Sequence, residues 1–357
     1  MRLQCFLWTC RFLLMVSTSQ SKAASEEQFL DVSIQTFSHA EAPAVKTSKT
    51  EPFSKKADPV QAVLASETRL LPMYLRYRLE KSGSFGAVRV LPSLDAGSEL
   101  KITGQIIKSD GFVLELAIKA VDSTGRIWLD RVFNGTAVSS QTLSADSLAE
   151  DDFSQMFGQI TTQLKQRATQ LNAQQLGMIK SVALLRYGLG LVPAAFATYL
   201  DESATGEVNL KRMPATDDPL LKRILDVREK EYQFIDVVDE EYSRFYDAVK
   251  PLYDTWRTGE RSLISETREA SKERGSTKTN GYTSVADSPL ELIFNNYAES
   301  MQREEWQELG LKEGFTNEIE PTELQTNDSL HRLTGTFEQQ YREWRGILAE
   351  LFALDAK

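Results

Sequence analysis

Cysteine and histidine are nearly absent from this chain. Of its 357 residues two are cysteine and two histidine. Cys5 and Cys10 both lie in the first ten residues, and the imidazoles belong to His39 and His331. Beyond residue 10 there is no thiol, which excludes a thiolate nucleophile, a disulfide and a cysteine metal site there. The sequence also lacks a Gly-x-x-x-x-Gly-Lys phosphate loop, a Gly-x-Ser-x-Gly elbow and a His-Glu-x-x-His helix. No stretch reaches the roughly 18 consecutive apolar residues of a membrane-spanning helix. Positive charge is in deficit. The formal net charge is −10, which argues against nucleic acid as a partner.

The first residues have the layout of an export signal. Arg2 opens the chain, Phe12-Leu13-Leu14-Met15-Val16 forms an apolar centre, and Ser21 and Ala23 are small enough for a peptidase cleft. Residues 1–24 are therefore expected to be a signal peptide and the protein to be periplasmic or exported, although Arg11 interrupts the apolar centre. The alternatives are a misplaced start codon and a cytosolic tail. Leu7-Trp8-Thr9-Cys10 has the outline of a lipobox, so a lipid anchor on Cys10 is a further expectation. Arg2, Arg11 and Lys22 are the only charges in the leader, and losing them takes the remainder to −13.

Periodicity divides the remainder into an α+β chain. Leu30, Val32 and Ile34 alternate as in a half-buried strand. Residues 38–59, with four lysines and three prolines, read as an exposed loop. Val60 to Leu79 follows helical spacing, with Pro72 expected to kink or divide it and Gly83 to cap it. Strands are expected at 87–91, 100–106, 112–121 and 126–133, joined by turns at Ser109-Asp110-Gly111 and Asp122-Ser123-Thr124-Gly125.

The order strand, helix, strand and antiparallel meander, with Ser82-Gly83-Ser84-Phe85 leading into Val88-Arg89-Val90, then Ile102-Thr103-Gly104-Gln105-Ile106 and Asp122-Ser123-Thr124-Gly125-Arg126-Ile127-Trp128, resembles the small α/β domain of bacterial envelope assembly proteins. These include CsgG-like curli secretion lipoproteins, the amino-terminal domain of TolB, and flagellar and penicillin-binding-protein accessory factors. The resemblance covers residues 28–138. It implies a mixed, largely antiparallel sheet and an envelope protein as partner, and it carries no catalytic residue.

The second half reads as helical. Amphipathic patterns occupy 151–176 and 182–200, the latter a buried pair of helices meeting at Pro193. Thr216-Asp217-Asp218-Pro219 starts a long helix whose apolar residues recur to Trp256 and which should bend at Pro251. A second apolar helix over 290–309 is expected to fold back on it, across an exposed connection at 268–288. Strands at 315–320 and 329–337 and a helix at 337–352 complete the chain. The expected domains are 25–150, 151–312 and 313–357.

Candidate chemistry is sparse. Asp236, Asp239, Glu240 and Glu241 could serve glycoside hydrolysis or bind calcium, but beside Arg228, Lys230 and Arg244 they read as a solvated face with i,i+4 ion pairs. His331 reads as a strand surface residue and His39 as a loop residue without companions. Tyr341, Arg342, Trp344 and Arg345 could form a carbohydrate or peptide platform, with core packing the ordinary use of the aromatics. The apolar segment 182–200 could lie on a membrane surface, yet 187–200 has no basic residue. No catalytic, cofactor-binding or metal-ligating residue is assigned. The expected function is a non-enzymatic envelope binding or scaffolding protein with peripheral membrane association as an option. The alternative is a carboxylate-based hydrolase of a cell-wall polymer.

Overall fold

A computed structural model describes residues 29–40, 59–94, 97–110, 112–137, 153–215, 217–273, 322–325 and 330–354. The leader with Cys5 and Cys10, most of the lysine-rich loop, the apolar helix expected at 290–309 and the strand expected at 315–320 lie outside these residues. The fold is α+β. A mixed sheet at the amino-terminal end is followed by helices, one of them very long, and by a final hairpin and helix.

The sheet grows from the alternating segments. Strands β1 (Val32–Gln35), β2 (Ser38–His39), β3 (Val88–Leu91), β4 (Leu100–Ser109), β5 (Val113–Asp122) and β6 (Ile127–Thr136) form it in the order β3-β1-β4-β5-β6, with β2 pairing β4. Strand β1 runs parallel to both β3 and β4, whereas β4, β5 and β6 form an antiparallel meander. Leu114, Leu116, Ile118 and Ala120 of β5 are buried on one face, and the alternate Glu115, Ala117 and Lys119 point away. His39 falls in β2 and not in a loop, because Ser38 and His39 continue along β4 opposite Gln105 and Ile106. Gly104 makes room for this path. A Cβ there would lie 2.4 Å from the Phe37 ring.

Helix α1 (Pro59–Lys81) connects β2 to β3 and contains Pro72 without dividing. Proline at 72 cannot donate to the carbonyl of Thr68, four residues earlier. That carbonyl instead accepts the backbone N–H of Phe37 at 2.7 Å. The bond a helix would have made is thus replaced by one to the bend between β1 and β2, and the freed carbonyl ties the helix to the sheet. Gly83, at φ +60°, ends the helix as expected.

Both meander turns are organised by aspartate. Asp110 accepts the N–H groups of Phe112 at 2.8 Å and Val113 at 2.6 Å. Asp122, 2% exposed, accepts from Thr124 N at 2.9 Å, Thr124 Oγ1 at 2.5 Å and Trp128 Nε1 at 2.8 Å. A register shift places Trp128 as the extra residue of β6, so Trp128 and Leu129 are both buried.

Helices α2 (Ser154–Thr169) and α3 (Ala173–Leu191) are separate, where the apolar pattern alone continued to residue 176. The break is a capping box at Asn172. Its side chain accepts Gln175 N at 2.8 Å, and the Gln175 side chain accepts Asn172 N at 3.0 Å. Helix α2 packs on β6, where a Cβ on Gly135 would lie 2.8 Å from Phe153. Pro193 opens the short helix α4 (Pro193–Phe196). A hairpin not expected from periodicity follows, β7 (Leu200–Glu202) and β8 (Val208–Leu210), turning at Gly206 with φ +83°. A Cβ on Gly125 would meet the Gly206 carbonyl at 2.3 Å, so the two turns abut.

Helix α5 (Pro219–Glu273) spans 55 residues. It passes through Pro251 as one element and reaches beyond residue 268, where an exposed connection was expected. The carboxy-terminal hairpin pairs β9 (Thr322–Gln325) with β10 (Leu330–Leu333), and helix α6 (Phe337–Leu354) follows. The first hairpin strand thus lies at 322–325. Phe234 of α5 stacks on Tyr341 of α6 at 5.9 Å between ring centroids, with Trp344 beside it.

Candidate functional site

The long helix is the natural place to look for carboxylate chemistry, since it carries the acidic cluster. Its four acids divide by helical position. Glu240 and Glu241 both pair with Arg244, Glu240 at 2.9 Å, as the i,i+4 pattern implies. Asp239 is buried, whereas Asp236 is exposed but reaches across to the sheet. Asp236 accepts Arg89 Nε at 2.7 Å, and Asp239 accepts the backbone N–H of Val90 at 2.9 Å while meeting Arg76 at 2.9 Å.

Val90 lies on the outer strand of the sheet, so Asp239 covers part of an edge that would otherwise present an unpaired donor. Burial raises the Asp239 pKa against the opposing pull of the Val90 N–H and Arg76. Burial works against the charge of Arg89 too, yet the Asp236 hydrogen bond and charge hold its pKa above the ordinary value. The expectation of a solvated acidic face is corrected for Asp239, which is buried; Asp236 stays solvated, but its partner is Arg89 of β3 and not a residue of its own helix, so both fasten α5 to β3. Arg89 also meets Asp31 at 3.8 Å, so it bridges Asp31 and Asp236 and fills the space between these two carboxylates with a cation.

A second polar cluster was not singled out by sequence reasoning. Glu67 of α1 is fully buried, and Arg257 of α5 is 1% exposed. Glu67 Oε1 accepts from Ser109 Oγ at 2.6 Å, Tyr253 Oη at 2.6 Å and Arg257 Nη2 at 3.2 Å. Arg257 also donates to Tyr253 Oη at 2.6 Å, Ser109 Oγ at 2.7 Å and the Asp110 carbonyl at 2.5 Å, and stacks over the Phe153 ring at 4.5 Å. Burial pushes the Tyr253 hydroxyl well above its usual pKa, so it stays a donor to Glu67. The cluster joins α1, α5 and the β4–β5 turn at one point. Its signal was in the sequence: Glu67 falls between Leu64 and Leu71 on the apolar stripe of α1, and Arg257 continues Val249 and Tyr253 at i+4.

The remaining candidates are dispersed. His39 is in β2 and His331 in β10, where the His331 ring lies 6.1 Å from Trp344. No group of three or more histidine, cysteine, aspartate or glutamate side chains suited to a metal ion occurs among the described residues. Tyr341 and Trp344 are each 2% exposed and belong to the core, as the ordinary reading of these aromatics held. Arg342 and Arg345 are on the outer side of the same helix and line a cleft of about 410 Å³ with Ser93, Leu191 and Glu338. A second cleft of about 400 Å³ lies between the Asp122–Gly125 turn, the start of α3 and β8, lined by Thr124, Arg126, Gln174, Met178 and Asn209. No described helix is long and apolar enough to cross a membrane.

No protein-family model matches the chain, and no curated protein matches it. Among solved structures, the PelC dodecamer from Paraburkholderia phytofirmans is matched with a TM-score of 0.23 and 10% sequence identity, over 38% of this chain and 90% of that one. A likeness of this size bears on neither fold nor function.

Proposed function

We propose that this protein is an exported, non-enzymatic binding or scaffolding protein of a bacterial cell envelope, assisting assembly or secretion. The observation that carries the non-enzymatic part is the use made of the acids on α5. Glycoside hydrolysis requires two carboxyl groups facing one another across a substrate, about 5–9.5 Å apart. Here Asp236 binds Arg89 of β3, Asp239 binds the Val90 N–H of β3 and Arg76 of α1, and Glu240 and Glu241 bind Arg244 on their own helix. Envelope location is supported by the composition of the first 24 residues and by the strand–helix–strand–meander order with its Asp-x-Thr-Gly turn. The partner is an envelope protein, nucleic acid is not bound, and no cofactor is used. Lipid attachment through Cys10 and peripheral contact with the membrane are options within this reading.

The test combines location and function in the organism of origin. Amino-terminal sequencing of the protein from cells should begin near Ala24 or Ser25, and the protein should fractionate with the envelope. In a deletion strain, Glu240→Gln, Glu241→Gln, His39→Ala and His331→Ala should all restore the phenotype. An intact Met1 on cytosolic protein would refute export. Loss of function in a folded Glu240→Gln or Glu241→Gln variant would favour the hydrolase.

A further inference from the structure

The two edges of the amino-terminal sheet are finished differently. On β3 the N–H of Val90 is taken by Asp239 of α5. At the opposite edge β6 pairs with β5 alone among the described residues. Strand β6 is 10 residues long and contains neither proline nor lysine, two residues that commonly keep an edge from accepting another strand.

A single bond fixes which of its peptide groups are open. Ala137 N donates to the Phe112 carbonyl at 2.8 Å, continuing the register in which Val113 faces Thr136. In an antiparallel ladder the N–H and C=O of one residue point to the same neighbour, and successive residues alternate. The peptide groups of Gly135, Phe133, Arg131 and Leu129 therefore turn to β5, with no register shift along that stretch. Those of Thr136, Asn134, Val132 and Asp130 turn away from the sheet. All four of these residues are exposed, and Val132 is a large apolar residue left 45% exposed.

This open row is complementary to itself. Two copies of one strand side by side and antiparallel are related by a two-fold axis perpendicular to the sheet, so the outward row of one copy meets the outward row of the other. An axis at Val132 sets Val132 against its own copy, Asp130 against Asn134, and Arg131 against Phe133, whose ring the Arg131 guanidinium already covers within its own chain at 5.1 Å. Axes at Asp130 or Arg131 would put like charges face to face. Axes at Phe133 or Asn134 would turn Val132 toward Asn134 or Thr136. Helix α2, which packs on β6, carries no charged residue from Ser154 to Leu164. Two copies of a chain of net charge −10 thus meet there without local repulsion.

We propose that β6 is a homodimer edge, on which two copies pair antiparallel about Val132 and join their sheets through about six new backbone hydrogen bonds. The inference does not depend on where the protein works or on its being an assembly factor.

The experiment is sedimentation equilibrium on the full chain, which should show a dimer at about 100 μM. Val132→Pro should give a monomer with its melting temperature retained, because the N–H it removes points away from β5. Asn134→Asp, an exposed change that sets a second acid opposite Asp130 twice per dimer, should weaken association about threefold or more and decides the matter should the proline variant not fold. Leu225→Lys, which removes an exposed apolar residue on α5, should leave the dimer intact. Register is read by oxidation after Cys5→Ser and Cys10→Ser: Val132→Cys should form an intermolecular disulfide, since facing residues lie about 5.5 Å apart between Cα atoms, and Asp130→Cys should not. A monomer at that concentration overturns the proposal and leaves the edge to a strand of a different protein. So do a dimer that persists in folded Val132→Pro or is unweakened in Asn134→Asp, a dimer lost in Leu225→Lys, and cross-linking at 130 as ready as at 132.

Discussion

Arg257→Met tests whether the buried Glu67–Arg257 pair holds the long helix against the sheet. The two side chains are 0% and 1% exposed, so removing the guanidinium leaves a carboxylate in the interior with only the Ser109 and Tyr253 hydroxyls as donors. It also strips the Asp110 carbonyl of its arginine donor. Breaking one side of a buried ion pair costs about 3–5 kcal/mol, a large part of the 5–15 kcal/mol that a domain retains. In urea, with a slope of about 3 kcal/mol/M, the midpoint should fall by about 1–1.7 M. Glu67→Gln keeps an acceptor at Oε1 and should cost less. The double variant Glu67→Leu with Arg257→Met removes both charges, and its cost should fall short of the sum of Glu67→Leu and Arg257→Met by about 2 kcal/mol or more. If Arg257→Met costs under about 1 kcal/mol, or if the two changes are additive, the pair is not the fastening inferred here.

Three further outcomes follow from the structure. Pro72→Ala should gain far less than the roughly 3 kcal/mol usual for removing a helix-interior proline, because the restored N–H competes with Phe37 for the Thr68 carbonyl; a full gain in chemical denaturation would refute that account. Leu114→Asp should abolish cooperative melting by placing a charge in the core, whereas Glu115→Lys on the other face should change stability by less than about 0.5 kcal/mol. The reverse ranking would mean the register is wrong. Glu99 has its pKa raised, first by burial and also by Asp31, against the bond it accepts from Asp31 N. The folded state therefore binds more protons than the unfolded one, so this group's stabilising contribution is complete below the ordinary pKa of 4.5 and is lost as pH rises through the folded value. Glu99→Gln should flatten that part of the stability–pH curve, and an unchanged slope would count against it.

Local pattern determined a good deal of this protein. Leu30, Val32 and Ile34, the runs around Leu114 and Ile118, the two aspartate turns and the cap at Gly83 all act within a few residues of themselves, where spacing and turn chemistry are sufficient. Scarcity of cysteine and histidine limited the available chemistry from the outset. The misreadings had two kinds of cause. The split between α2 and α3 was legible as the Asn172–Gln175 capping box, but the apolar stripe continued across it and masked the signal. The path through Pro72, by contrast, depended on Phe37, 35 positions away, supplying the N–H that takes the orphaned carbonyl of Thr68.

The same distinction governs the polar groups. That Asp236 and Asp239 lie on one helix with Glu240 and Glu241 is a sequence fact. That Asp239 takes the Val90 N–H and Asp236 the Arg89 side chain of β3, while the second pair stays with Arg244, was decided by which side of α5 meets the sheet. Glu67 and Arg257 are separated by 190 positions, and Ser93, Leu191 and Arg342 by still more in total, so no local rule brings either group together. Helical and strand periodicity reports which residues seek the interior. Which buried charges meet follows only when the elements pack, because side-chain partners are chosen by distance in space and not along the chain.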